Sequence, residues 1–408
     1  MKVLIADKFE QVGLNGLKGL GVEIDYQPDL KDEALNEAIK SSKANILIVR
    51  STKVNAKMME DSHLALIIRA GAGYNTIDLN AANHNSIYVA NCPGKNSFAV
   101  AELAMGLILA VDRKIPHNFA SLKEGKWNKK EYSKSKGIYG RTLGIVGFGQ
   151  IAQEVANRAK AFGMKVNVFS RWMTPQVAKA VGVERVDSLK ELAETSDVVS
   201  VHVSLRPETK EMINGEFFQN MKEGAYFINT SRGEVVDQNA LGKVLEQGKI
   251  YAGLDVFQGE PASGQADYDG PIKDWPNLYI THHIGASTAQ AQEAIAYEVI
   301  RMIKNFLQNG IVPNLVNQSR EQLASSLLVV RHLDKVGVLA TVFDALRDAN
   351  INVQEVENIV LAGGHAAIAQ VALNKKPNQN VIDAIQQNKY VLDVNVFEMQ
   401  SETTAVAI

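Results

Sequence analysis

A short apolar run, Leu143–Val146, enters Gly147-Phe148-Gly149-Gln150-Ile151-Ala152, and an amphipathic stretch and a second run, Lys165–Phe169, follow it. Glycines at that spacing, set between a strand and a helix, restrict this chain more than any other feature of its sequence. Gly147 permits the tight turn out of the strand, and Gly149 lets main-chain N–H groups approach a pyrophosphate at the helix N-terminus. Ala152 allows close packing of helix on strand. With strand, helix and second strand in order, a parallel α/β sheet that binds a dinucleotide is the expected architecture.

Short apolar runs alternate with helix-period segments along most of the chain, as such a sheet requires. Val3–Ala6, Glu23–Tyr26, Ile46–Val49, Ala65–Arg69 and Tyr88–Val89 read as strands of a first, flavodoxin-like domain. A helix pattern starting near Asn96 carries the chain into the nucleotide-binding domain, of the Rossmann type, whose further strands are expected at Val198–His202, Tyr226–Asn229, Tyr251–Leu254 and Leu278–Ile280. A second helix pattern from about Ala289 returns to the first domain, making that domain discontinuous: 1–97 and 288–316, with 98–287 between. The polar stretch VPNLVNQSREQL reads as a linker to a final section, 325–408. Its order of strand, helix, strand, Gly-Gly turn, strand, helix, strand is that of a ferredoxin-like split βαβ sandwich.

The 408 residues are enough for two or three domains with their own cores. A net charge of -2 argues against a nucleic-acid partner recruited by bulk charge. One cysteine, Cys92, excludes an internal disulfide framework and a thiolate metal cluster, and reads as a small buried apolar residue. No metal site is expected. No apolar run approaches the ~20 residues of a membrane span, so a cytoplasmic protein without membrane contact is expected.

Three residues sit in distinctive frames: Arg232 in NTSRGEVVD, Glu260 in LDVFQGEP and His283 in THHIGAST. An arginine grips a carboxylate through its planar fork, and a glutamate beside a histidine favours the protonated imidazole. That is equipment for moving a proton to or from a 2-hydroxy or 2-keto acid. Arg232 and His283 each follow an expected strand, which places both at the carboxyl edge of the sheet, where such folds bind ligands.

The fingerprint and the three frames, in this order, resemble the D-isomer-specific 2-hydroxyacid dehydrogenases over roughly the first 320 residues. RAGAGYNTID, NSFAVAELAMGLIL and GKWNKKEY add to the resemblance. It implies that Arg232 holds the substrate carboxylate and polarises the 2-oxygen, that His283 rather than His282 is the acid/base, and that Glu260 orients the imidazole. It further implies cofactor contacts from Gly147, Gly149, Gln150 and Ile151 at the pyrophosphate, from Thr230 and Asp255 along the nicotinamide side, and from Val203, Ser231, Gly285 and Ala286; Asp255 as a structural strand-end residue is the alternative. The family often has proline where this chain has Ser204, and a smaller residue where it has Arg206.

An NAD-preferring fold usually carries Asp or Glu at the end of the second strand, on the ribose 2′-hydroxyl. Ser170 and Arg171 occupy that place here, so the cofactor is NAD or NADP. In the first domain Arg50, Lys53 and Arg69 come at strand ends facing the expected cleft, and suit a phosphate on the substrate. Gly71, Ala72 and Gly73 suit a main-chain nest around its carboxylate. Lys129 and Lys130 fall in a segment that, in the family, crosses to a partner subunit. The expected substrate is a small phosphorylated 2-hydroxy acid. Reduction of glyoxylate or hydroxypyruvate is the alternative, and a cofactor-sensing protein is the non-enzymatic one.

The final section resembles an ACT domain, a small-molecule-binding regulatory module. His332, Asp334 and Asn352 match positions at which related ACT domains bind serine between two subunits, although Asp334 stands where an amide is frequent. The resemblance implies a serine effector and a homodimer or homotetramer.

Overall fold

The structure, a computed structural model, describes residues 1–261, 265–319 and 324–399. Its contacts gather into two compact units, Met1–Asn317 and a second from Gln318 onward. In the first unit β1 (Lys2–Ile5), β2 (Glu23–Tyr26), β3 (Ile46–Val49), β4 (Leu66–Arg69) and β5 (Tyr88–Asn91) form a parallel sheet in the order β2-β1-β3-β4-β5. That is the flavodoxin-like order. β3 is buried along its whole length, which explains a continuous apolar run in place of alternation.

A second parallel sheet comprises β6 (Thr142–Val146), β7 (Lys165–Phe169), β8 (Glu184–Arg185), β9 (Val198–Val201), β10 (Ala225–Asn229), β11 (Ile250–Leu254) and β12 (Leu278–Ile280). The order β12-β11-β10-β9-β6-β7-β8 is the doubly wound Rossmann arrangement with one strand added at the edge. β6, which feeds the glycine fingerprint, lies between β7 and β9, where the strand order reverses. Ligands bind outside the carboxyl ends of the strands at such a point.

Two helices link the sheets. Helix Ser97–Arg113 sinks Ala101, Ala104, Ile108 and Val111 into the core of the second sheet. Helix Ala289–Asn309 packs Ile295, Val299, Met302 and Ile303 against Val3, Ile5 and Ile48 of the first. Cys92 is fully buried in that same core, and burial raises its thiol to about 12.

Three features depart from the sequence reading. β8 has only two residues, too few to carry a period. Helix Ile115–Lys123 buries none of its residues, so it presents no core-facing stripe by which to be recognised. The expected linker is not free at its start: Val316 N donates to Val89 O at 2.8 Å, and the Asn317 amide accepts from Val89 N at 2.9 Å and donates to Ile87 O at 2.9 Å. Those bonds satisfy the edge of β5, which would otherwise be open. Residues 320–323 of that stretch lie outside the described residues.

In the second unit β13 (Ser326–Leu333), β14 (Val353–Val360), β15 (Ala366–Leu373) and β16 (Val391–Glu398) form an antiparallel sheet in the order β14-β15-β13-β16. Helices Val338–Asp348 and Gln379–Gln386 pack Val342, Leu346, Val381 and Ile385 onto it, completing a ferredoxin-like fold. Gly363 and Gly364 turn the chain between β14 and β15 with φ of +94° and +68°, conformations that glycine adopts without strain. Residues 400–408 of the expected final domain lie outside the described residues. Among the described residues no helix is long and apolar enough to cross a membrane.

β9 runs directly into His202, whose Nε2 lies 2.8 Å from Ser200 Oγ. Burial pulls this imidazole from 6.5 down to about 4. Between those values the unfolded chain takes up a proton that the native state refuses, so stability falls as pH falls. Replacement by glutamine removes the effect: between pH 7 and pH 4, His202→Gln should lose less stability than wild type, by up to about 3 kcal/mol in urea unfolding. Parallel losses in the two proteins would show that His202 does not titrate in this way.

Candidate active site

β10, β11 and β12 are neighbours in the second sheet, and the turn after each supplies one residue of the trio. After β10, the buried Asn229 holds the turn: its Oδ1 accepts from Ser231 N at 2.9 Å and Ser231 Oγ at 2.7 Å, and its Nδ2 donates to Arg232 O at 2.9 Å. After β11, Glu260 Oε1 accepts from Phe257 N at 3.0 Å, closing the second turn on itself. After β12, the His283 Nδ1–H donates to Glu260 Oε2 at 2.7 Å. His283 has φ +52°, a region uncommon for side-chain-bearing residues but one that histidine visits more than most. Half of its side chain is exposed, and among the described residues Nε2 has no hydrogen-bond partner.

Asp255 fixes that loop. It is 1% exposed, and its carboxylate accepts from Thr281 Oγ1 at 2.6 Å, Ile284 N at 2.8 Å and Gly285 N at 2.8 Å. Expected along the nicotinamide side, Asp255 is instead turned into the protein, its two oxygens engaged by the turn that carries His283. Ser231 is likewise turned inward, with its hydroxyl on Asn229, rather than towards a cofactor. Arg232 and Glu260 are brought together through Gly233, where a Cβ would overlap the main chain of Phe257 and Gln258.

The first sheet contributes cations. Arg69, at the end of β4, lies alongside Gly71, where a Cβ would overlap its guanidinium, and Arg232 lies alongside Gly73 in the same way. Arg69 Nε is buried without a partner. Burial, with the Arg232 guanidinium beside it, pulls Arg69 down to about 10. The nest expected at Gly71–Gly73 is smaller than anticipated, because Gly71 N donates to Arg69 O at 2.8 Å. Among the described residues the N–H groups of Ala72 and Gly73 have no such partner, and the Ala72 carbonyl accepts from Asn91 Nδ2 at 2.6 Å. The turn that bears Arg50 is gathered by Asp7, whose Oδ2 accepts from the main-chain N–H groups of Arg50, Ser51 and Thr52 at 2.6, 3.1 and 3.1 Å. Lys53, Lys129 and Lys130 are exposed.

At the fingerprint, Gly147 has φ +86° and packs where a Cβ would collide with His202 O and Val203. Gly149 stands at the N-cap of helix Gln150–Ala161 with no side-chain cap, and a Cβ there would meet only open space. The first N–H groups of the helix have no intrahelical partner, as a pyrophosphate site requires. Gln150 reaches over to Gly94, while Ile151 packs against the core. Thr230, 8% exposed, has its Oγ1 buried without a partner at the end of β10, beside the trio. An open helix N-terminus and an orphaned hydroxyl along one sheet edge fit a dinucleotide. Gly285 is buried, and the Ala286 carbonyl accepts from Gln292 Nε2 at 2.7 Å, so these two serve the loop's own structure. Among the described residues no cluster of three or more His, Cys, Asp and Glu gathers as metal ligands would.

Comparison with known proteins supplies the family. The pattern of the D-isomer specific 2-hydroxyacid dehydrogenase, NAD binding domain, matches residues 105–285. The hydroxypyruvate reductase of Thermotoga maritima is 44% identical over 270 residues, covering 65% of this chain and 85% of that one. The D-3-phosphoglycerate dehydrogenase of Methanocaldococcus jannaschii is 40% identical over 320 residues, 78% of this chain and 59% of that one. This chain belongs to the D-isomer-specific 2-hydroxyacid dehydrogenases. A solved protein of Thermus thermophilus shares the fold with a TM-score of 0.69 and 33% identity, over 78% of this chain and 100% of that one. The match thus spans less than two thirds of the Methanocaldococcus relative's length.

The sequence reading passed over several residues. Asn229 opens the NTSRGEVVD frame and Asp7 follows the first strand, but their roles emerge only from the turns they gather. Asn96 Oδ1 and Ser97 Oγ, at the start of the helix that follows Gly94, are buried without partners. In the second unit His332 is 2% exposed, with Nδ1 2.9 Å from Leu333 O and Nε2 3.2 Å from Asn358 Oδ1. Both ring nitrogens thus lie against oxygens of the protein. Asp334 and Asn352 are exposed.

The close approach at Gly233 yields a direct expectation. In Gly233→Ala the new methyl meets main-chain atoms, which cannot rotate away, so the Arg232 and Glu260 turns must separate. Melting should fall by several degrees, and turnover should fall by about a hundredfold or more. Unchanged melting and turnover would mean that the two turns are not in contact.

Proposed function

We propose that this chain is a D-3-phosphoglycerate dehydrogenase, oxidising 3-phospho-D-glycerate to 3-phosphohydroxypyruvate with NAD or NADP, the entry to serine synthesis. The observation that carries the reading is the placing of Arg69 and Arg232 against one glycine loop, opposite the His283–Glu260 pair. The relative from Methanocaldococcus jannaschii bears that name and supports it.

In this reading Arg232 and the N–H groups of Ala72 and Gly73 hold the substrate carboxylate, and the Arg232 guanidinium draws charge onto the 2-oxygen. His283 Nε2 takes the hydroxyl proton as the C2–O bond becomes a carbonyl, while Glu260 holds the opposite nitrogen and stabilises the imidazolium. The nicotinamide, when bound, accepts the hydride released from C2. Arg50 and Arg69 grip the 3-phosphate, with Lys53 at the rim. Gly147, Gly149, Gln150, Ile151, Val203 and Thr230 line the cofactor side, and Asp255, Gly285 and Ala286 hold the loop that presents His283.

We read the unit Met1–Asn317 as a substrate domain, 1–97 and 288–316, around a dinucleotide domain, 98–287, with 325–408 as an ACT domain. Ile115, Phe119 and Trp127 are 52%, 67% and 81% exposed, which suits a homo-oligomer with Lys129 and Lys130 near a partner's phosphate site. Serine is the effector we assign to the ACT domain, through Asp334 and Asn352. A hydroxypyruvate reductase is the second reading, favoured by the relative from Thermotoga maritima.

A panel of 3-phosphohydroxypyruvate, hydroxypyruvate, glyoxylate and 2-ketoglutarate separates the two. The phosphorylated acid should lead in kcat/KM by about a hundredfold or more, and Arg50→Ala should abolish that lead. Equal rates on glyoxylate would replace the first reading by the second. Millimolar serine added to the same assay should inhibit, and its failure to do so would remove the effector from the account.

A further inference from the structure

The dinucleotide edge of the second sheet is bordered by arginine on both sides of the fingerprint. β7 and β9 flank β6, and the residues that follow them emerge at the same carboxyl edge as Gly147 and Gly149. After β7 come Ser170, Arg171 and Trp172. The Ser170 carbonyl accepts from Met173 N at 2.9 Å, which turns the chain there. Arg171 lies 5.7 Å from the centre of the Trp172 ring, and Trp172 is 69% exposed. After β9, Thr209 Oγ1 donates to Ser204 O at 2.7 Å and accepts from Arg206 N at 2.8 Å, which fixes where Arg206 leaves the loop. Both arginines are exposed, and among the described residues neither has an ion-pair partner.

No Asp or Glu occurs between Glu154 and Glu184. Of the acids nearest in sequence, Glu154 is held by Arg158 at 2.6 Å, and Asp187 by Arg185 at 2.6 Å. Glu184, on β8, is registered with Asn167, back from the carboxyl end of β7. The end of β7 thus lacks the carboxylate that would accept from a ribose diol and repel a phosphate.

We infer that the cofactor site selects a 2′-phosphorylated dinucleotide, with Ser170 and Arg171 holding the 2′-phosphate and Arg206 adding positive charge from the facing loop. The inference rests on the reading of this edge as a dinucleotide site. A guanidinium meets a phosphate through two parallel N–H bonds, and the serine hydroxyl adds a short donor. The Trp172 ring, against which Arg171 already lies, limits the positions open to the guanidinium, so less freedom is lost when the phosphate binds. The attraction is between exposed charges, so it weakens as salt rises.

Calorimetric titration of the full-length protein with NADPH and NADH tests this without turnover. NADPH should bind about tenfold tighter or more at low salt. The 2′,5′-bisphosphate of adenosine should likewise bind better than 5′-AMP. Arg171→Ala should reduce the NADPH-to-NADH affinity ratio by about tenfold, and Ser170→Asp should bring it below one. NADH binding as tightly as NADPH in the wild type, or an affinity ratio unmoved by both substitutions, would overturn the inference while leaving the dinucleotide site in place. Binding of neither dinucleotide would overturn both.

Discussion

The Asp255 carboxylate is the constraint on which the rest of the site depends. A buried charge is costly unless donors surround it, and here three donors from one turn converge on its two oxygens. Those bonds hold the chain after β12 in a conformation that leaves His283 at a positive φ. The arrangement offsets the local backbone cost by satisfying a group that would otherwise be stranded. Glu260 then meets His283 from a turn that starts at Asp255 itself. One carboxylate fixes the loop and the other holds the imidazole, and their positions differ because one faces the protein and the other faces the cleft.

The opposite wall is built on repulsion. Arg69 is withdrawn from water, and with the Arg232 guanidinium beside it its affinity for a proton falls. Two guanidiniums converging on one glycine loop are a ready site for an anionic acid, whose negative charge would relieve the repulsion between them. The glycines are needed because side chains at Gly71 and Gly73 would fill the space that the guanidiniums occupy. Arg69 thus comes from the first sheet, and Arg232, Glu260 and His283 come from the second.

Much of this was legible in the sequence. The strands of both parallel sheets stand out because buried parallel strands are continuous apolar runs, and the glycine fingerprint fixes which turn carries the helix N-terminus. Arg232, Glu260 and His283 could be named from their frames, since each closes a turn after a strand. Asp255 was visible, but a carboxylate at a strand end does not announce whether it faces a ligand or the next turn, and its three donors come from the turn. Asp7 and Asn229 work through main-chain N–H and C=O groups, which leave no mark on residue type. His332 was chosen by position in a motif, whereas its place in the sheet depends on β15 and β16, which flank β13.

Through their shared hydrogen bond Glu260 and His283 would act as one unit on the hydroxyl proton. A double-mutant cycle on kcat/KM tests this most directly, with Glu260→Gln, His283→Asn and the double variant. If Glu260 acts only through the imidazole, the double variant should be no slower than His283→Asn, within about threefold. Losses that multiply would mean that Glu260 acts on the substrate independently of His283, and would contradict the account.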